Sequence, residues 1–74
     1  MYHGEVVRKI RLSKGLTQKE VYLGIVSKSY AIEFEKGNHS ISATLLLDIL
    51  ERLSLDMDEF LYISQDYRLN EQAD

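Results

Sequence analysis

The sequence predicts an all-α domain, a compact bundle of five short helices. Three observations predict it. Proline is absent and glycine occurs four times in 74 residues, a composition that favours helices with short connections. Apolar residues recur at spacings of three and four, the period of one helical face. Thr17 and Ser27 stand where side-chain oxygens cap helix starts, and Gly15 and Gly37 stand where glycine ends helices.

The first helix is predicted from about Gly4 to Lys14. Val6, Val7 and Ile10 form its apolar stripe, and Arg8, Lys9, Arg11 and Lys14 occupy the remaining surface. Gly15 ends it, with Lys14 in the last turn, where the helix dipole favours a cation. Thr17 followed by Glu20 is a capping-box pattern, which opens a second helix from about Thr17 to Leu23 with Val21 inward. Gly24 breaks it in a tight turn. Ser27 caps a third helix, about Lys28 to Lys36, in which Ala31 and Phe34 share a face. Gly37-Asn38-His39-Ser40 is turn chemistry. A fourth helix runs from near Ser42 to near Leu53, with Leu45, Leu46, Ile49, Leu50 and Leu53 on one face. Leu47 falls off that stripe, as an exposed single residue or as part of a dimer surface. Asp56-Met57-Asp58-Glu59 opens a fifth helix with an acidic first turn, and Phe60, Leu61 and Ile63 are expected to pack back on the fourth. The pattern fades after Gln65. Residues 1–65 therefore read as the domain, and 66–74 as a polar tail or the start of a linker to a further domain.

A chain of this length makes one domain, and it buries only about 60% of its unfolded surface, so the core must be small. With 45% apolar and 28% charged residues the composition is globular. Without cysteine there is neither a disulfide framework nor a thiolate metal site. No apolar run reaches the roughly 18 residues of a transmembrane helix, and the N-terminus does not have a signal-peptide pattern, so the expected location is the cytoplasm.

The two consecutive short helices around Gly24 read as a helix-turn-helix, the arrangement in which the second helix of DNA-binding proteins enters the major groove. The net charge of −3 argues against a polyanion partner, but its distribution does not. Residues 1–40 carry seven Lys and Arg against four Glu, net +3. Residues 41–74 carry two Arg against eight acids, net −6. A nucleic acid would meet the first half and be repelled by the second.

Val7-Arg8-Lys9-Ile10-Arg11-Leu12-Ser13-Lys14-Gly15-Leu16-Thr17-Gln18, Phe34-Glu35-Lys36-Gly37 and Leu55-Asp56-Met57-Asp58-Glu59-Phe60-Leu61 resemble Cro/repressor-type (XRE-type) helix-turn-helix domains, which have a lambda-repressor-like fold. Gly24-Ile25-Val26-Ser27 with Tyr30-Ala31-Ile32-Glu33-Phe34-Glu35-Lys36-Gly37-Asn38-His39 resembles more specifically the N-terminal domain of Rgg/MutR transcriptional regulators. The resemblance covers residues 4–63. It implies an operator in double-stranded DNA, a homodimer on that DNA, and in a longer parent protein a helical repeat domain that dimerises and often senses a peptide. The chain would then be an excised module or a naturally short relative. The segment from Gln18 to Ser27 is one residue shorter than the common XRE pattern, Tyr22 stands where a small residue is usual, Ile32 at a site often polar, and Ile41 for a common proline.

The resemblance places Lys28, Ser29, Tyr30 and Glu33 on the outward face of the recognition helix as base readers. It places Thr17 and Gln18 at a phosphate, and pairs Arg11 with Glu35 in a salt bridge between the first and third helices. Arg8, Lys14 and Lys19 add candidate phosphate contacts. For each, the alternative is an ordinary solvated side chain. His3 and His39 are too far apart in sequence, and too few, to suggest a metal site, and Asp56, Asp58 and Glu59 have no EF-hand spacing. No nucleophile with a base and orienting group is visible, so neither an enzyme nor a cofactor is expected. The function expected is sequence-specific DNA binding in transcriptional regulation. The alternatives are a protein-interaction or dimerisation module, suggested by the acidic half and Leu47, and a small antitoxin-like repressor.

Overall fold

A computed structural model describes the backbone of residues 2–72 and the side chains of residues 3–66. It has five helices: α1 (Tyr2–Ser13), α2 (Gln18–Tyr22), α3 (Lys28–Glu35), α4 (Ala43–Arg52) and α5 (Met57–Gln72). No strand occurs among the described residues. α1 packs on α3 and α5, α2 on α3 and α4, and α4 on α5.

Local chemistry sets these boundaries. Ser27 and Ser42 accept the backbone N–H of Tyr30 and Leu45, capping α3 and α4. Thr17 with Glu20, and Asp56 with Glu59, exchange reciprocal backbone-to-side-chain bonds at the starts of α2 and α5. Three helices end in paired 6→1 and 5→2 backbone bonds. These are Leu16→Arg11 with Gly15→Leu12, Asn38→Glu33 with Gly37→Phe34, and Leu55→Leu50 with Ser54→Glu51. The third ending puts Ser54 at φ 58, a left-handed position that the others give to glycine.

The core takes Val6, Val7 and Ile10 from α1, Val21 and Tyr22 from α2, Ala31 and Phe34 from α3. Leu46, Ile49, Leu50 and Leu53 enter from α4 and its cap, and Phe60 from α5. Leu61, expected to pack on α4, is instead 51% exposed. Phe60 and Ile63, three residues apart, take the inward stripe of α5, and the helical period turns Leu61 away from it. Leu47 is also half exposed. α5 continues as helix to Gln72, through the stretch from residue 66 whose pattern fades. Ala73 and Asp74 lie outside the described residues.

Gly4 is inside α1, against the end of α3. A Cβ built there would fall 1.7 Å from the Phe34 carbonyl oxygen. The two helices meet as closely as they do because this residue has no side chain. Gly4→Ala should therefore destabilise by about 1–3 kcal/mol through overpacking, although alanine gains up to about 1 kcal/mol in helix propensity. Urea unfolding would show a lower midpoint; an unchanged or raised midpoint would contradict the close contact. Ser54→Gly should act in the opposite direction, raising stability by about 0.5–1 kcal/mol by removing the left-handed penalty.

Candidate nucleic-acid interface

The α2–α3 unit is held from inside by one carboxylate. Glu35 is 3% exposed, and its oxygens accept four hydrogen bonds. Arg11 donates to both, Nε to Oε2 at 2.8 Å and Nη2 to Oε1 at 2.9 Å. The Gln18 amide donates to Oε1 at 3.0 Å and the Tyr22 hydroxyl to Oε2 at 2.7 Å. The remaining Arg11 Nη1 donates to the Leu16 carbonyl at 2.9 Å, tying in the α1–α2 turn. Burial alone would push the Glu35 carboxyl up, but the donors from Arg11, Gln18 and Tyr22 outweigh it and hold it below the usual range. The Glu35 bond in turn raises the Arg11 guanidinium. Burial first, and the neighbouring Glu35 second, push the Tyr22 phenol up.

Between α2 and α3 the chain turns at Gly24, φ 84, while the Tyr22 carbonyl accepts from Ile25 and Val26 at 2.9 and 3.2 Å. Ala31, Phe34 and Glu35 face inward. Lys28 and Ser29 are exposed at the capped start of α3. Tyr30 and Glu33 use their polar atoms on the loop that follows. The Tyr30 hydroxyl donates to the Ser40 carbonyl, and its ring stacks on His39 with centroids 4.9 Å apart. Glu33 accepts from the Asn38 amide at 2.9 Å and pairs with Lys36 at 3.5 Å. The Asn38 bond and then Lys36 hold its carboxyl below the usual range.

Arg8, Lys14, Thr17 and Lys19 are exposed, and Gln18 is half-buried. Gln18 gives one amide hydrogen to Glu35, and the same nitrogen carries a second. Two concavities meet at Gln18. One, of about 730 Å³, lies between α1 and α3, with Arg8, Lys9, Leu12, Ile32 and Lys36 among its walls and Glu5 as an anionic one. The other, of about 270 Å³, is the α2–α3 crease, reached by Lys19, Leu23 and Lys28. The surface thus combines spaced cations with exposed side chains on one helix, an arrangement suited to a phosphate backbone on either side of a groove.

His3 lies against Phe60 with ring centroids 5.7 Å apart, and His39 against Tyr30. Among the described residues no three His, Cys, Asp or Glu side chains gather as a metal site would require. Among them, too, no helix is long and apolar enough to cross a membrane.

The hub residue that sequence reasoning missed is Tyr22. The signal was its i, i+4 relation to Gln18, which puts both donors on one face of α2.

Removing one partner of the hub leaves a buried charge unpaired. Arg11→Met should cost about 3–5 kcal/mol in urea unfolding, and Arg11→Met with Glu35→Leu should recover part of that loss. The pH dependence follows from the lowered Glu35 carboxyl. Its contribution is complete above about pH 4.5, the ordinary glutamate value, and is lost as pH falls through the lower folded value. Below pH 4.5 the wild type should lose stability more steeply than Glu35→Gln; parallel curves would exclude Glu35 as the source.

A helix-turn-helix family model matches residues 7–60. The crystal structure of a putative transcriptional regulator from Listeria monocytogenes EGD-e is similar, with 57% sequence identity and a TM-score of 0.87. The similarity covers 89% of this chain and 22% of that one, so the chain spans less than a quarter of the length of the regulator it matches. The family match runs from α1 into α5 and contains Glu35 and all its donors. The chain belongs to the XRE-type helix-turn-helix family of DNA-binding transcription regulators.

Proposed function

We propose that this domain binds double-stranded DNA sequence-specifically, with α3 in the major groove and α1 and α2 on the flanking phosphates. The observation that carries this is the exposure of Lys28 and Ser29 at the capped start of a helix whose inner face is anchored by Glu35. Lys28 donates to guanine O6 and N7, and Ser29 to a base edge or phosphate. Arg8, Lys14, Thr17, Gln18 and Lys19 contact phosphates, Gln18 through its second amide hydrogen. Tyr30 and Glu33 serve the surface by bracing the loop after α3; base contact from either would compete with those bonds.

The residues from Gly24 to His39, by their resemblance, favour the Rgg/MutR subtype. In that reading the module acts in the cytoplasm, without catalysis, as part of a homodimer whose copies lie about 34–36 Å apart on a near-palindromic operator. A longer parent supplies the dimerising, peptide-sensing domain. The greater length of the similar Listeria chain supports a longer parent. The exposed Leu47, Leu61 and Tyr62, in the acidic half, favour a second role for α4 and α5 in protein contacts.

Titration of an operator selected from randomised duplexes, at several salt concentrations, tests the reading. Affinity should fall steeply with salt. Arg8→Ala should weaken all sequences alike and lower the salt slope by about 1. Lys28→Ala should cost about 1–3 kcal/mol on the operator and relax its sequence preference. Binding indifferent to salt and to both substitutions would overturn the proposal.

A further inference from the structure

Ile32 has no role in the contacts described so far. At 3.6 residues per turn it falls between Lys28 and Lys36 on the α1-facing flank of α3, beside Ser29, opposite Phe34 and one turn before the buried Glu35. It is half-buried. Other half-buried apolar side chains, such as Ile25, Val26 and Tyr30, pack on the core. Ile32 stands apart from that set among the described residues and lines the α1–α3 groove with Arg8, Lys9 and Lys36. Of the charges around it, Glu5 and the Arg11-paired Glu35 also line the groove, and Glu33 is drawn toward Asn38 and Lys36. A branched aliphatic group presented between cations on a nucleic-acid-facing helix has one apolar feature to meet in the major groove, the C5-methyl of thymine.

We infer that Ile32 is a specificity-determining residue that reads a thymine methyl group. This rests on α3 lying in the major groove, as proposed above. Arg8, across the groove, holds the backbone, and the Ile32 side chain removes one methyl from water at a single base position. A purely structural Ile32 would change stability when substituted but would not respond to that methyl.

The test uses the chain and its selected operator. Each thymine is replaced in turn by deoxyuridine, which deletes only the methyl, and each duplex is titrated with wild type, Ile32→Val and Ile32→Ser. Urea unfolding checks that both variants are folded. At one thymine the wild type should lose about fourfold in affinity, the worth of one buried methyl. Ile32→Ser should bind both duplexes equally, and Ile32→Val should keep part of the difference; if the serine variant is unfolded, the valine variant decides. Uniform wild-type affinity across all deoxyuridine duplexes would overturn the inference while leaving DNA binding intact. So would a loss of the same size in both variants. A selection that returns no preferred sequence would overturn the proposed function, and this inference with it.

Discussion

A carboxylate buried among helices must have its charge answered on every side, and Glu35 imposes that constraint on the whole domain. Its four hydrogen bonds draw on α1 through Arg11 and on both ends of α2 through Gln18 and Tyr22. Arg11 extends the requirement to the turn before α2. Such a centre adds less to stability than an apolar cluster of equal volume. It does restrict how the helices can sit, because apolar contacts tolerate sliding and a two-point guanidinium–carboxylate bond does not. The α2–α3 geometry therefore rests on direction as well as on burial.

The charge asymmetry works on the same frame. The chain is net negative, yet residues 1–40, which include α1, α2 and α3, are its positive part. The buried Arg11 is committed to Glu35, so the exposed cations of residues 1–40 are Arg8, Lys9, Lys14, Lys19, Lys28 and Lys36. An acidic remainder orients the approach to a polyanion by repelling the wrong side, a long-range effect that salt would weaken.

Much of the fold was legible because short polar side chains at helix starts and glycines at helix ends carry their meaning locally. Thr17, Ser27, Gly15, Gly24 and Gly37 mark their boundaries without reference to anything distant. What could not be read depends on partners far away in the chain. Gly4 reads only as the approximate start of the first helix until Phe34 is placed beside it. Tyr22 reads as an oversized replacement for a small residue until Glu35 arrives to accept a hydrogen bond from its hydroxyl. At the candidate interface, Lys28 and Ser29 are exposed at the start of α3, but the hydrogen bonds of Tyr30 and Glu33 depend on Ser40 and Asn38, whose placement no periodicity encodes.

The contact at Gly4 also acts as a spacer of fixed thickness. α3 has eight residues, so it is only about 12 Å long. Prising its far end from α1 by one ångström would tilt the rod by roughly 5° about its capped start, a simple lever estimate from that length. The tilt would swing Lys36 and Ile32 relative to Arg8 and leave Lys28 nearly in place. Change at Gly4, outside the helix-turn-helix itself, would thus alter the angle at which α3 is presented to whatever it meets.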